Sequence, residues 1–363
     1  MAVESGRWFG MTPLRPSIAC RFGVRWLGLL LSALLLAACE GAPERVVLRG
    51  GTMGTTWSVV YRNAQDQDPA ALEAAIEREL EAVNQALSTY IADSEISLVN
   101  AAEGPLRQEL SERFAAVLDA ALSVGDMTAG AYDITVGPLV ELWGFGARDF
   151  SGSVPSDEAL EAALAAVGAA RLAWDAETGV LEKPQGMRID LSSIAKGYAV
   201  DRLSELLMAR GITDSLVEIG GELRARGQRP EGGPWRLAVE SPDPAQSRFV
   251  DALAISDAAV ATSGDYRNYF EVDGRRYSHL VDPRTGFPVD HELVSVTVVH
   301  RDCMIADALA TALIVMGLEA AQTLADAEGL AAHFVTRDGE GLAVHYTPEF
   351  EQYRQAAGTA ERN

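Results

Sequence analysis

One stretch near the middle of the chain predicts a helix with a group of reactive side chains at its N-terminus. Residues 190–201 read Asp-Leu-Ser-Ser-Ile-Ala-Lys-Gly-Tyr-Ala-Val-Asp, which combines acids, hydroxyls, a lysine and a glycine. Apolar residues at helical spacing continue to Leu207, and Gly211 ends the pattern. The polar half therefore lies at a helix N-terminus, where free backbone N–H groups and the helix dipole favour an anion such as phosphate.

The first 38 residues are expected to be a secretory signal that lies outside the fold. Four arginines precede an apolar run over residues 26–37, which is shorter than the roughly 20 residues that span a bilayer. The run ends in Leu36-Ala-Ala-Cys39, which resembles the lipobox of bacterial lipoproteins. An ordinary signal peptide with a chance cysteine is the alternative.

Lipidation of Cys39 would leave residues 39–45 as a tether. The domain would then be lipid-anchored on the periplasmic side of a bacterial membrane. The choice between inner and outer membrane stays open, with a lean toward the outer one because Glu40 is not the usual retention aspartate.

The net charge of the chain argues against some classes of function, and its cysteine content argues against disulfides. The formal net charge of −22 argues against nucleic-acid binding and against docking on anionic lipid through basic residues. A polyanionic ligand would need a locally basic or metal-lined pocket. Of three cysteines, Cys20 lies in the signal and Cys39 is the lipidation site. Only Cys303 remains, so no intrachain disulfide is expected, and Cys303 is predicted to be a buried apolar residue.

Helical and strand patterns follow one another after residue 46 without regular βαβ order. They predict an α+β fold with mainly antiparallel sheets flanked by helices. The expected unit is one large domain, or two interlocked halves, over residues 46–350, followed by a tail over 351–363. Helices are predicted over 73–87, 112–127, 156–167, 302–316 and 318–328, and strands include a pair around Gly220-Gly221 and one over 253–262.

Two clusters admit both a functional and a structural interpretation. In Gly51-Thr-Met-Gly-Thr55, Met53 could pack on a flat ring while glycine lets the backbone approach a ligand; alternatively the segment is a strand bulge with a core methionine. Asp133 could accept hydrogen bonds from a heterocycle N–H or a ribose hydroxyl, or it could satisfy a turn.

Residues 278–286, Ser-His-Leu-Val-Asp-Pro-Arg-Thr-Gly, form a polar cluster that contains His279 and Asp282. His279 alone among the five histidines lies in such a cluster, and a histidine can act as a general base near neutral pH. A strand followed by a turn would bring His279 and Asp282 close enough to share a hydrogen-bond network. The alternative is a surface histidine on a hairpin.

Asp307 and Thr311 are four residues apart in a predicted apolar helix. They therefore project from the same face, one turn apart. Burying an unpaired carboxylate is costly, so Asp307 needs a partner. Oxygen ligands suit Mg²⁺, and the alternative is a neighbouring lysine or arginine.

Together these clusters resemble the ApbE family of flavin transferases, the FAD:protein FMN transferases. The resemblance runs from about Gly51 to about Tyr346. Seven motifs stand in the family's order: Met53-Gly-Thr55; Tyr132-Asp-Ile-Thr-Val-Gly-Pro-Leu139 with Leu142-Trp-Gly-Phe-Gly146; Asp190–Asp201; Ile219-Gly-Gly-Glu222; Ala261-Thr-Ser-Gly-Asp-Tyr266; Ser278–Gly286; and Asp307-Ala-Leu-Ala-Thr311.

The resemblance implies a T-fold-like architecture and a Mg²⁺-dependent reaction. FMN would move from FAD to a threonine or serine hydroxyl of an acceptor protein as a phosphoester, and AMP would leave. Acceptors in the family are subunits of redox-driven ion pumps and other extracytoplasmic flavoproteins.

The same resemblance implies roles for individual residues. His279 would be the base that activates the acceptor hydroxyl, with Asp282 beside it. The metal would be held by Ser193, through its backbone carbonyl, and by Asp307 and Thr311. FAD would contact Met53, Tyr90, Ala131, Tyr132, Asp133, Asp190 and Lys196.

Two other activities fit the same residues. With water as the nucleophile, the site would be a Mg²⁺-dependent FAD pyrophosphatase that gives FMN and AMP. Without catalysis, the chain would be a membrane-tethered flavin-binding protein.

Overall fold

The computed structural model describes residues 44–146, 153–243, 249–266, 268–339 and 341–358. The predicted signal and Cys39 lie outside the described residues. The strands are β1 Glu44–Thr52, β2 Thr55–Asn63, β3 Leu106–Glu109, β4 Ala173–Asp175, β5 Val180–Lys183, β6 Ser215–Ile219, β7 Glu222–Arg226, β8 Trp235–Glu240, β9 Phe249–Ile255, β10 Ala258–Gly264, β11 Tyr269–Val272, β12 Arg275–Ser278, β13 Leu293–His300, β14 Ala331–Asp338 and β15 Gly341–Tyr346. The α-helices are α1 Pro69–Leu87, α2 Glu95–Ala101, α3 Glu112–Met127, α4 Gly137–Leu142, α5 Asp157–Leu164, α6 Ala195–Ala209, α7 Cys303–Met316, α8 Leu318–Glu328 and α9 Pro348–Gly358.

An eight-stranded sheet forms the centre, in the order β1-β2-β6-β7-β10-β13-β14-β15. Every neighbouring pair in it is antiparallel. The ribbons β8–β9 and β11–β12 and the three-stranded sheet β3-β5-β4 are antiparallel too. The predicted α+β class with mainly antiparallel sheets and flanking helices is confirmed.

The two faces of the central sheet carry different layers. On one face lies the main core, to which α6 and α7 contribute most of their buried residues. On the other face, a smaller core joins the β8–β9 ribbon and α9 to the sheet. Alternation along the strands explains the division, because successive side chains point to opposite faces. No helix in the described ranges has both the length and the apolar character that crossing a membrane requires.

The prediction of one continuous strand over 253–262 was wrong. The structure divides it into β9, which pairs with β8, and β10, which enters the central sheet. Asp257 lies between them with φ of 51°, a left-handed conformation that aspartate adopts more readily than most residues. Apolar residues on both sides conceal this turn in the sequence.

The C-terminal helix begins before the predicted tail. Residue 350, where the domain was expected to end, lies inside α9, and the Phe350 side chain is fully buried in the smaller core. The predicted boundary at residue 350 therefore cuts through an element that packs against the sheet.

Helices α6 and α7 approach each other closely on the main face of the sheet, which is the face that carries the main core. A Cβ on Gly197 would lie 2.4 Å from the Cys303 carbonyl oxygen, so only glycine allows this crossing. Asp201 also joins the two helices: its carboxylate accepts hydrogen bonds from the backbone N–H groups of Cys303 at 3.0 Å and Met304 at 2.9 Å. One helix thus caps the N-terminus of the other. Cys303 itself is fully buried, as predicted.

Candidate active site

A cleft of about 490 Å³ opens on the main face, where several distant segments of the chain meet. Asp282 does not line it, and Cys39 lies outside the described residues. The other eleven predicted site residues all line it: Met53, Tyr90, Ala131, Tyr132, Asp133, Asp190, Ser193, Lys196, His279, Asp307 and Thr311.

Asp307 is a buried carboxylate at the floor of the cleft. Its side chain is on α7, the residue is 3% exposed, and its Oδ2 accepts a hydrogen bond from the Gly197 N–H at 3.0 Å. Burial raises the pKa of Asp307 to about 7, although the charge of nearby Lys196 opposes the rise. A bound cation would favour the ionised carboxylate.

Oxygen atoms surround this carboxylate. One turn along α7, the Thr311 hydroxyl lies 3.0 Å from the Ser263 hydroxyl. Because Gly197 donates to Asp307, it does not close the helical bond to Ser193, and no hydrogen bond to the Ser193 carbonyl is found within the described ranges. The Ser193 hydroxyl donates to the Tyr132 hydroxyl at 3.0 Å. The Ser193 carbonyl is thus available to a ligand while its hydroxyl is occupied.

These donors fit a hard cation that also binds a phosphate. No group of three or more His, Cys, Asp or Glu side chains with metal-site spacing occurs in the part of the chain that the structure describes. A cation held by Asp307, Thr311 and the Ser193 carbonyl would have one carboxylate and two neutral oxygens from the protein. Mg²⁺ typically binds to one or two carboxylates together with substrate phosphates and water.

Lys196 forms an ion pair with Glu222, a residue for which the sequence predicted no role. Its Nζ lies 2.6 Å from Oε2 of Glu222, whose side chain is almost completely buried. Burial alone would lower the pKa of Lys196, but the carboxylates of Asp307 and Glu222 outweigh it and raise the pKa. Lys196 is therefore cationic. In the sequence, only the position of Glu222 directly after Gly220-Gly221, within one of the seven motifs, indicated that this residue could be functional.

His279 presents one ring nitrogen to a backbone carbonyl. Its Nδ1 lies 3.0 Å from the Asn268 carbonyl oxygen, which can only accept, so Nδ1 carries the proton and Nε2 keeps its lone pair. Burial lowers the pKa of His279, and the charge of Lys196 lowers it further. A neutral imidazole with a free Nε2 is suited to accept a proton near neutral pH.

The Asp282 carboxylate has a different partner from the one expected. It accepts hydrogen bonds from Arg284 Nε at 2.9 Å and Nη2 at 2.8 Å. His279 and Asp282 share no hydrogen bond among the described residues, because the turn directs the carboxylate back onto its own backbone and Arg284. The expected His279–Asp282 network is absent, and a catalytic role for Asp282 stays a prediction.

Met53 lies in a tight hairpin turn between β1 and β2. Thr52 pairs with Thr55, and both intervening residues have positive φ, 49° for Met53 and 70° for Gly54. This is the geometry of a type I′ turn, in which a methionine is unusual. The β1–β2 pairing has no bulge, and Met53 packs partly against the main core while it also lines the cleft. Tyr90 lies at the rim and is 72% exposed.

Two aspartates of the cleft lining are held in local turns. Asp133 Oδ1 accepts the Thr135 N–H at 2.8 Å, and its Oδ2 accepts the Ala169 N–H at 2.9 Å. Asp190 Oδ1 accepts the Ser192 N–H at 2.8 Å. The turn role that the sequence left open for Asp133 is present, and the same residue also lines the cleft.

Comparison with known proteins gives the family. The sequence profile of the ApbE family matches residues 53–334. The chain belongs to the ApbE family. The chain is 45% identical to the FAD:protein FMN transferase of Vibrio cholerae over 303 residues, which are 83% of this chain and 90% of that one. It is 37% identical to the Escherichia coli K12 protein of the same name over 338 residues, 90% of this chain and 96% of that one.

Solved ApbE structures have the same fold. The flavin transferase ApbE of Vibrio cholerae superposes with a TM-score of 0.81 at 40% identity and covers 86% of this chain and 99% of its own. The apo flavinyl transferase ApbE of Pseudomonas stutzeri gives 0.80 at 38% identity and covers 86% and 97%. The predicted ApbE membership is confirmed, and the cleft described above lies within the matched region.

Proposed function

We propose that this protein transfers the FMN moiety of FAD to an acceptor protein. The names of its ApbE relatives support this activity. The observation that carries it is the convergence of a buried carboxylate, a lysine and a neutral histidine in one cleft, on Asp307, Lys196 and His279. Pyrophosphate cleavage with a hydroxyl nucleophile requires charge neutralisation and one base.

The acceptor group is a threonine or serine hydroxyl. Its oxygen forms a bond to the FMN-side phosphorus, and the bond from that phosphorus to the bridging oxygen breaks, so AMP leaves with the electron pair. Nε2 of His279 accepts the hydroxyl proton, because Nδ1 is already protonated toward Asn268. The products are a phosphoester on the acceptor and AMP.

Lys196 faces the negative charge of the substrate. Its side chain is 30% exposed, so the ammonium reaches the cleft. The helix N-terminus of α6 adds backbone N–H groups and a favourable dipole. Tyr132 stays a neutral hydroxyl because burial raises its pKa. Met53 and Tyr90 both line the cleft, and their side chains can pack on a flat flavin ring.

Magnesium is the cofactor that this donor set fits. Asp307, Thr311 and the Ser193 carbonyl would hold it, since all three residues line the cleft and offer oxygen. When bound, it supplies neutralisation of the pyrophosphate charge. The protein's own part is to keep these oxygens converged, which the Gly197–Asp307 hydrogen bond does.

The location proposed for the protein is the periplasmic side of a bacterial membrane, with Cys39 as the lipid anchor. The acceptor is then an extracytoplasmic flavoprotein, such as a subunit of a redox-driven ion pump. The signal sequence and lipobox support this location. Palmitate labelling that persists in a Cys39→Ser variant would contradict the anchor.

Mass spectrometry of the acceptor separates the candidate activities. The protein is incubated with FAD, Mg²⁺ and an extracytoplasmic flavoprotein subunit. Added mass of one FMN on a threonine or serine supports the transferase. Free FMN with unmodified acceptor indicates the pyrophosphatase, and unchanged FAD indicates a flavin-binding protein.

A further inference from the structure

The hairpin between β6 and β7 brings the Glu222 carboxylate into contact with Lys196, the lysine that lines the cleft. Ile219 pairs with Glu222, and the two residues between them are Gly220 and Gly221, with φ of 63° and 110°. A Cβ on Gly220 would lie 2.9 Å from the Thr55 methyl group and 3.5 Å from Lys196 Cδ. The first distance is a clash with the other hairpin turn, and the second is an ordinary van der Waals contact, so the Lys196 stem passes directly beside the β6–β7 turn.

Burial is unequal between the two partners of the ion pair. The Glu222 side chain is 4% exposed and that of Lys196 is 30% exposed, while the charged atoms are 2.6 Å apart. Glu222 is thus anchored in the protein, and the ammonium lies between it and the open cleft. A flexible lysine normally moves among many rotamers. A buried carboxylate on its inner side restricts the ammonium to one place.

Fold stability is a weak explanation for this pair. Replacing a buried ion pair with apolar residues is often neutral for stability, because desolvation of both charges offsets their attraction. The pair also lies in the cleft lining, next to Asp307 and not deep in the core. Its position in the first turn of α6, where a helix N-terminus favours an anion, agrees better with a role in substrate turnover.

We propose that Glu222 is a positioning residue that holds the Lys196 ammonium where charge develops on the FAD pyrophosphate. This inference rests on the proposed FMN transfer and adds a residue to it. Glu222 need not touch the substrate, since it acts through Lys196. Loss of the carboxylate leaves a cation that still attracts FAD but is no longer held in one place.

A double-mutant cycle on Glu222→Gln and Lys196→Met tests the coupling. FAD affinity is measured by quenching of flavin fluorescence, and turnover by FMN added to the acceptor. We expect Glu222→Gln to lower kcat about 10- to 100-fold, as small misplacements do, with the FAD Kd within about threefold of wild type. In the Lys196→Met background it should cause no further loss beyond about twofold.

Other outcomes would overturn the proposal. If the Glu222→Gln loss is the same in both backgrounds, Glu222 acts independently of Lys196. If kcat stays within about twofold of wild type, or if FAD affinity falls in step with kcat, the carboxylate does not position the ammonium for turnover.

Two further variants keep the test decisive. Glu222→Asp retains the charge but is one methylene shorter, so an intermediate kcat with unchanged FAD affinity supports the proposal even if Glu222→Gln does not fold; wild-type kcat in Glu222→Asp contradicts it. Glu182→Gln is the matched control, because Glu182 forms an exposed ion pair with Arg107 at 3.0 Å away from the cleft lining. A wild-type protein that transfers no FMN rejects the proposed function, whereas an active wild type with additive variants rejects only the role of Glu222.

Discussion

Two buried ionic clusters lie on opposite faces of the central sheet, and they use similar side chains for different ends. On the main face, Lys196, Glu222 and Asp307 meet at the cleft. On the other face, His333 Nε2 lies 3.6 Å from the Asp251 carboxylate, which also pairs with Arg354 of α9. The first cluster is open on one side and the second is closed by Phe350.

The two histidines show what this difference does. Burial lowers the pKa of both His279 and His333, the latter to about 4. The Nδ1 atom of His279 contacts a carbonyl, and its Nε2 has no hydrogen-bond partner among the described residues and is open to the cleft that His279 lines. His333 is fully buried, and neither ring nitrogen has a hydrogen-bond partner among the described residues. A lowered pKa therefore marks a candidate base only where the ring can also reach a substrate.

The largest expected effect is on the open cluster. Asp307→Ala should abolish FMN transfer and weaken Mg²⁺ binding, because it removes the one carboxylate of the proposed metal site. Transfer is followed by acceptor mass and Mg²⁺ binding by calorimetry. Asp326→Ala, an exposed acid on the neighbouring helix α8, is the control and should behave as wild type. Full activity in EDTA would exclude the metal role.

His279 should be required for turnover and dispensable for binding. His279→Gln should still bind FAD while transfer falls by about 10²- to 10⁴-fold, the usual contribution of a general base. His345→Gln, on β15, is the matched control. Loss of FAD binding in His279→Gln would instead make His279 a ligand contact.

The pH profile sharpens the same assignment. The base must be neutral, and burial lowers the pKa of His279, so its neutral form persists to lower pH than in a free histidine. At saturating Mg²⁺, which keeps Asp307 ionised, we expect the acid limb of kcat/KM for wild-type transfer to lie below about pH 6.5, the ordinary histidine value. A limb above that value would contradict the assignment.

The closed cluster should affect stability and leave transfer unchanged. The folded-state pKa of His333 is about 4, below the unfolded value of about 6.5, so the unfolded state binds the proton more readily. The free energy of unfolding is therefore unaffected by His333 above about pH 6.5. As the pH falls toward 4, protonation of His333 in the unfolded state lowers it by on the order of 3 kcal/mol. The facing groups are Asp251, Arg354 and His345.

His333→Leu tests this expectation by urea unfolding at several pH values. It should lose less stability than wild type between pH 7 and pH 4.5, while its FMN transfer at pH 7 stays at the wild-type rate. A parallel decline in both proteins would assign the acid sensitivity to other groups.

Local patterns in the sequence predicted much of the site and of the fold. Helical periodicity placed the helices now called α3, α7 and α8 within about a residue at each end. The family resemblance predicted eleven residues that the structure brings into one cleft. These features depend on neighbouring residues, and the physical rules for helices, turns and caps act over a few positions.

Tertiary structure decided what depended on distant partners. Asp257 divides an apolar run because β9 and β10 pair with different strands. Glu222 acquires its partner only when the β6–β7 turn reaches α6.

The sequence by itself therefore determined the family, most of the long helices and most of the reactive groups. The fold determined which of those groups are paired, buried or open to the cleft. Burial and long-range pairing set the protonation state and the direction of each charged side chain, and neither can be inferred from spacing along the chain.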